Sequence, residues 1–158
     1  MIEQISAEAI APALGLLPAK MASPAAEVLL LAIGLQESRL THRRQINGAA
    51  RGLWQFERSG IRGVLKHKAS RPYALALCKA REVEASVDAV YAALEHDDVL
   101  AAGIARLLLW TDPEPLPALG EFGAAWDYYL RTWRPGKPHR HTWDALYGHA
   151  MDAVREAA

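Results

Sequence analysis

Cysteine is nearly absent. Cys78 stands alone among 158 residues, so no disulfide within the chain can staple the fold. It sits among Ala74, Leu75, Ala76 and Leu77, the setting of a small buried hydrophobe and not of a nucleophile. The fold therefore needs no oxidising compartment. Long hydrophobic runs are missing too: the longest one free of charge, Val28 to Leu35, is too short to cross a bilayer. Net charge is missing as well. Eighteen basic and eighteen acidic side chains cancel, and no global field draws in nucleic acid or an anionic membrane. The N-terminal "MIEQISAEAIAPALGLLP" carries acids where a secretory signal carries lysine or arginine, so no signal peptide is expected.

Strand-like alternation is scarce, whereas helical spacing is everywhere, which predicts an all-α single domain over residues 1–158. A first helix is expected after Ser6, loosening near Gly15 to Pro18. The second is announced by Ser23 as N-cap and Pro24 at the first helical position. Its run from Pro24 to Glu37 is apolar all round except for Glu27, the mark of a helix surrounded by protein, and would span roughly 21 Å. His42 to Arg51 reads as a loop with a turn at Asn47-Gly48. Further helices are expected over Trp54–Lys66, Pro72–Arg81, Val83–Glu95, Val99–Trp110, Ala118–Trp133 and Thr142–Ala157.

Charge is unevenly spread. Arg39, Arg43, Arg44, Arg51, Arg58 and Arg62 begin a basic block that continues to Arg71, and an acidic block runs from Glu82 to Asp98. Two readings stay open for it: a solvated face, or a groove for an extended polar ligand.

The chemistry concentrates in "GLQESRLTHRRQINGAARGLWQF", Gly34 to Phe56. Glu37 closes the apolar helix. There the negative pole of the helix dipole and desolvation both favour the protonated carboxyl, as a general acid near neutral pH requires. The alternative is an exposed glutamate paired with Arg39 or Arg43. Gly34, inside the helix, points to a close approach by another helix or a ligand. Fifteen residues after Glu37 come Gly52, Leu53, Trp54 and Gln55. Gly52 permits a tight turn, Trp54 offers a face for a sugar ring, and Gln55 offers donors and an acceptor.

The combination of Glu37-Ser38 with Gly52-Leu53-Trp54-Gln55 at that offset resembles the lytic transglycosylases of the soluble, goose-type-lysozyme-like group. Their first motif is a Glu-Ser pair closing a buried helix, and their second is Gly-Leu-Met-Gln. Here Trp54 stands where methionine is usual. The third motif, usually Ala-Ala-Tyr-Asn-Ala-Gly, falls on "AAWDYY", with Trp126 at the tyrosine position and Asp127 at the asparagine position. Tyr128 and Tyr129 replace alanine and glycine, a departure from the pattern. The family-like core covers about residues 23–129, and residues 130–158 form a helical C-terminal extension. The segment Trp133 to Pro138 has no counterpart in the family pattern.

The resemblance implies a lysozyme-like fold and cleavage of the β-1,4 bond between N-acetylmuramic acid and N-acetylglucosamine in peptidoglycan. Glu37 would protonate the glycosidic oxygen and then, as carboxylate, deprotonate the sugar's own 6-hydroxyl, giving a 1,6-anhydro end. Ser38 and Gln55 would orient Glu37 or bind the sugar, while Trp54, Trp126 and Tyr128 would supply stacking surface. Core packing competes with stacking as the role of each tryptophan. No cofactor is implied; His139, His141 and His149 lack the paired spacing of a zinc site. Arg39 to Arg44 are expected to meet muropeptide carboxylates. Two alternatives remain open. A hydrolytic muramidase would need a second carboxylate, for which Asp97, Asp98 and Asp127 are the candidates. A non-catalytic glycan-binding or structural part of a virion or secretion apparatus would need none. Either way the expected partner is the peptidoglycan glycan strand, not nucleic acid. A protein made in the cytoplasm would then reach the wall through a bacteriophage virion, a holin or a secretion system.

Overall fold

A computed structural model describes residues 1–158. It contains helices and no strand beyond the isolated pairings of Arg44 with Arg51 and Arg51 with Phe56. α1 (Ile2–Ile5) continues through a π-turn at Ser6–Ile10 into α2 (Ala11–Gly15). This helix begins before Ser6 because Ile2 and Ile5 are apolar on one side and pack on the core.

α3 (Pro24–Ser38) is the axis of the molecule. The Ser23 hydroxyl accepts the Ala26 N–H at 3.0 Å, and Pro24 loses nothing at a position where its N–H would be unpaired. Leu30, Leu31, Ala32 and Ile33 are fully buried, each of the larger ones contributing roughly 1.5–3 kcal/mol. α9 (Arg140–Ala157) packs along it more extensively than any other element. α7 (Asp98–Trp110) packs behind it and also supports α2, α4 (Arg58–Lys66), α5 (Arg71–Ala80) and α6 (Val87–Leu94). α8 (Phe122–Trp133) lies against α9. No helix is long and apolar enough to cross a membrane.

Besides the early start of α1, three helices begin later than the sequence reading expects, and one of them is α8, which starts at Phe122 and not at Ala118. Gly52 to Gln55 forms a turn, with Gln55 at φ 53°, and Phe56 pairs with Arg51, so α4 starts only at Arg58. α6 starts at Val87 and not at Val83, because Ser86 caps it by accepting the Ala89 N–H at 3.2 Å.

The uneven charge resolves into pairing between the two blocks. Arg43 binds Asp98, Arg44 and Arg51 both reach Glu95, and Arg58 meets Asp88, while Arg81, between the blocks, meets Asp97. The loop after α3 is thereby pinned to the start of α7, which fixes the ground on which Gly52 to Gln55 stand.

Candidate active site

α3 ends where Arg39 and Leu40 both turn left-handed at φ 56°. The Arg39 side chain folds back onto the Leu35 carbonyl at 2.7 Å and closes the last turn. Glu37 is therefore held on the final turn of a rigid helix, partly buried, with a pKa raised by desolvation. It is neither exposed nor salt-bridged to Arg39 or Arg43.

The partner of Glu37 is Tyr129, whose hydroxyl donates to Oε2. Tyr129 is 2% exposed and stacks on Trp143, with ring centroids 5.4 Å apart and planes 8° from parallel. Burial and the facing carboxyl raise the Tyr129 pKa, so its proton stays on the phenol. That hydrogen bond works against desolvation and lowers the Glu37 pKa. It uses one carboxyl oxygen and leaves Oε1 without a protein partner.

Ser38 explains the fifteen-residue offset. Its hydroxyl is 3% exposed, donates to the Leu53 carbonyl at 2.6 Å and accepts the Leu40 N–H at 3.1 Å. The helix end and the glycine tetrad are thus laced together through one buried oxygen. Gly52 completes the joint with φ 77°, and a Cβ there would sit 2.5 Å from the Leu94 carbonyl oxygen.

Trp54 does not offer its face to a ligand. Its ring is fully buried, its Nε1 donates to the Leu30 carbonyl at 2.8 Å, and it lies against Gly34. A Cβ at position 34 would stand 3.3 Å from that nitrogen and 2.4 Å from Leu40 Cδ2. The close approach inferred from Gly34 is made by Trp54 and Leu40, not by a helix or ligand. Leu53 is likewise core at 1% exposure.

Gln55 does reach the cleft beside Glu37, but its amide nitrogen is engaged by the Gly52 carbonyl at 2.9 Å and the His42 carbonyl at 3.2 Å. Its oxygen is the atom free for a ligand. Trp126 is 7% exposed and packs against Tyr129 and Trp143, and Tyr128 donates to the Leu109 and Glu114 carbonyls. Asp127 is exposed on a different cleft. None of these three lines the Glu37 cleft.

That cleft encloses about 570 Å³. Its floor is Glu37, Tyr129 and Gln55, and one wall is the segment from Trp133 to Lys137, including Arg134. Trp133 is held by its Nε1 on the Trp54 carbonyl at 3.0 Å and rests at 5.7 Å from Phe56. Gln36 anchors the far rim by donating to the His139 carbonyl at 2.9 Å and accepting from Thr142 at 3.0 Å. The segment Trp133 to Lys137 thus forms part of the Glu37 cleft.

The second carboxylate in the cleft is Glu57, an exposed residue that the sequence reading did not name. Asp97 instead caps α7 by accepting the Leu100 N–H at 2.9 Å, and Asp98 forks with Arg43. Arg39, Arg43 and Arg44 are committed within the protein, so the cations lining the cleft are Arg134 and Lys137. No three His, Cys, Asp or Glu side chains gather as a metal site.

No family model matches the chain, and no curated protein or solved structure matches it either.

Proposed function

We propose that the chain is a glycan-cleaving enzyme of the lytic transglycosylase type, acting on peptidoglycan with Glu37 as general acid and then base. The observation that carries this reading is the Glu37 carboxyl. It is desolvated on the last turn of a buried helix, gripped through one oxygen by Tyr129, and open through the other to a polar cleft. A carboxyl so placed holds a proton at higher pH than an exposed one and can deliver it to a leaving oxygen. The attacking group would be the muramic acid's 6-hydroxyl, an intramolecular nucleophile needing no second carboxylate. Trp133 supplies the apolar surface for a ring, the Gln55 oxygen accepts from a hydroxyl or amide, and Arg134 and Lys137 meet peptide carboxylates. Ser38 acts as a positioning residue.

One observation favours a second reading, hydrolysis by a muramidase: Glu57 shares the cleft and could activate water. Digestion of purified peptidoglycan by the protein and by Glu37→Gln, read by mass spectrometry, separates the two. Products one water lighter than hydrolysed ends, lost in the variant, are expected. Ordinary reducing ends that depend on Glu37 would replace the first reading with the second. No release by the unaltered protein would overturn both.

A further inference from the structure

We propose that a second ligand site lies over α7, apart from the Glu37 cleft, and takes a small zwitterion with an apolar side chain, of the α-amino acid class. It rests on Arg106. The residue is 4% exposed, and the one hydrogen bond of its guanidinium to protein runs from Nε to the Met21 carbonyl at 2.8 Å. No carboxylate pairs with it. Burying a charge uncompensated is costly, and natural proteins pair such groups or bring them a ligand. Its other N–H groups are not sealed off, and the space they reach is a cleft of about 450 Å³ that Arg106 lines. That size falls within the roughly 300–1,000 Å³ of small-molecule sites.

The walls give the ligand's character. Leu109, Trp110, Pro113, Pro115 and Leu116 are apolar, and Tyr128 closes one side with its hydroxyl already spent on backbone carbonyls. Two acids line the cleft. Asp112 is neutralised by Arg131 at 2.7 and 3.3 Å, whereas Glu114 is exposed and has no ion pair. Lys20 lies over the Trp110 ring at 5.3 Å without lining the cleft. The Arg106 guanidinium does lie over the Trp110 ring, 5.6 Å from its centroid, a contact that leaves its in-plane N–H groups unspent. One cation without a carboxylate partner and one unpaired anion therefore face the same apolar space. A phosphate or dicarboxylate would be repelled by Glu114, and an amine by Arg106. A carboxylate on Arg106 with an ammonium toward Glu114 satisfies both, the guanidinium fork matching a carboxylate's two oxygens.

The test is calorimetric titration of the intact protein, with the Trp110 indole N–H followed by NMR. The probes are leucine, 4-methylpentanoate (the same body without the ammonium) and 3-methylbutylamine (without the carboxylate). Leucine is expected to bind tightest and shift the Trp110 signal, with the amine not binding. Arg106 variants could unfold the chain by freeing Met21, so the deciding variant is Glu114→Gln on the exposed rim. It should weaken leucine by roughly fivefold, the upper range for an exposed ion pair, and leave 4-methylpentanoate no weaker. Absence of a leucine-dependent Trp110 shift, a leucine affinity unmoved by Glu114→Gln, or any other ranking of the probes overturns the proposal and makes Arg106 a strut for Met21.

Discussion

The Tyr129 hydroxyl donates to the Glu37 carboxyl across 92 residues of sequence, tying the last turn of α3 to the middle of α8. The bond favours the ionised carboxyl, whereas desolvation, the larger effect, favours the neutral one. Tyr129→Phe removes only the first and should raise the Glu37 pKa further. For an enzyme whose acid form is active, the alkaline limb of the kcat/KM profile should then move to higher pH. A limb that stays put or moves down would mean that Glu37 does not set it.

The same carboxyl links stability to pH. Its folded pKa lies above the ordinary 4.5, so the native state binds more protons than the unfolded chain between the two values. The linked stability is complete below the unfolded value and declines as pH rises through the folded one. Glu37→Gln, which cannot ionise, should therefore raise Tm near neutrality by a few degrees and change it little at a pH below the ordinary value. Thermal melts at the two pH values check this, and equal changes at both would place the effect elsewhere than in ionisation.

These relations show what the sequence could and could not reveal. Ser23, Pro24 and the apolar run specify α3 unaided, because cap, proline and burial agree. The register of α8 was not recovered by matching a motif. One residue along a helix is a turn of about 100°, so Tyr128 faces Leu109 while Tyr129 faces Glu37. The usable signal was periodicity: Trp126, Tyr129 and Trp133 recur at i, i+3 and i+7 and form one aromatic face, with Tyr129 5.4 Å from Trp126 and 6.3 Å from Trp133. Glu57 was hidden by the expectation of a helix from Trp54. Only the left-handed turn at Gln55 brings it to the cleft, and a non-glycine residue gives little warning of that conformation.

Ser38→Ala should cost about 1–3 kcal/mol, since it strands the buried Leu53 carbonyl and leaves the Leu40 N–H only its long 3.4 Å bond to the Gly34 carbonyl. Urea denaturation measures the loss directly. A residue that merely touched the sugar would leave the midpoint unchanged while weakening binding.

Two glycines should respond in opposite senses to alanine. At Gly52 the added Cβ meets both an unfavourable φ and the Leu94 carbonyl, a loss of at least about 2 kcal/mol. Gly63 lies exposed inside α4 with open space around it, and alanine there should gain up to about 1 kcal/mol from helix propensity. If Gly52→Ala proved as mild as Gly63→Ala, the tetrad's turn would not have the geometry described.

The contest between the two carboxylates is decided by Glu57→Gln beside Glu37→Gln. Loss of a general acid should lower kcat by about 100-fold or more, and Glu37→Gln is expected to do so. Glu57 is exposed and makes no cap bond to α4. Where the sugar's own hydroxyl attacks, Glu57→Gln should cost less than about tenfold and leave the anhydro end intact. A loss as deep as that of Glu37→Gln, with hydrolysed ends from the unaltered protein, would make Glu57 the base for water. The product's mass and the variant's rate must then change together, because a residue that only binds glycan alters KM without altering what is made.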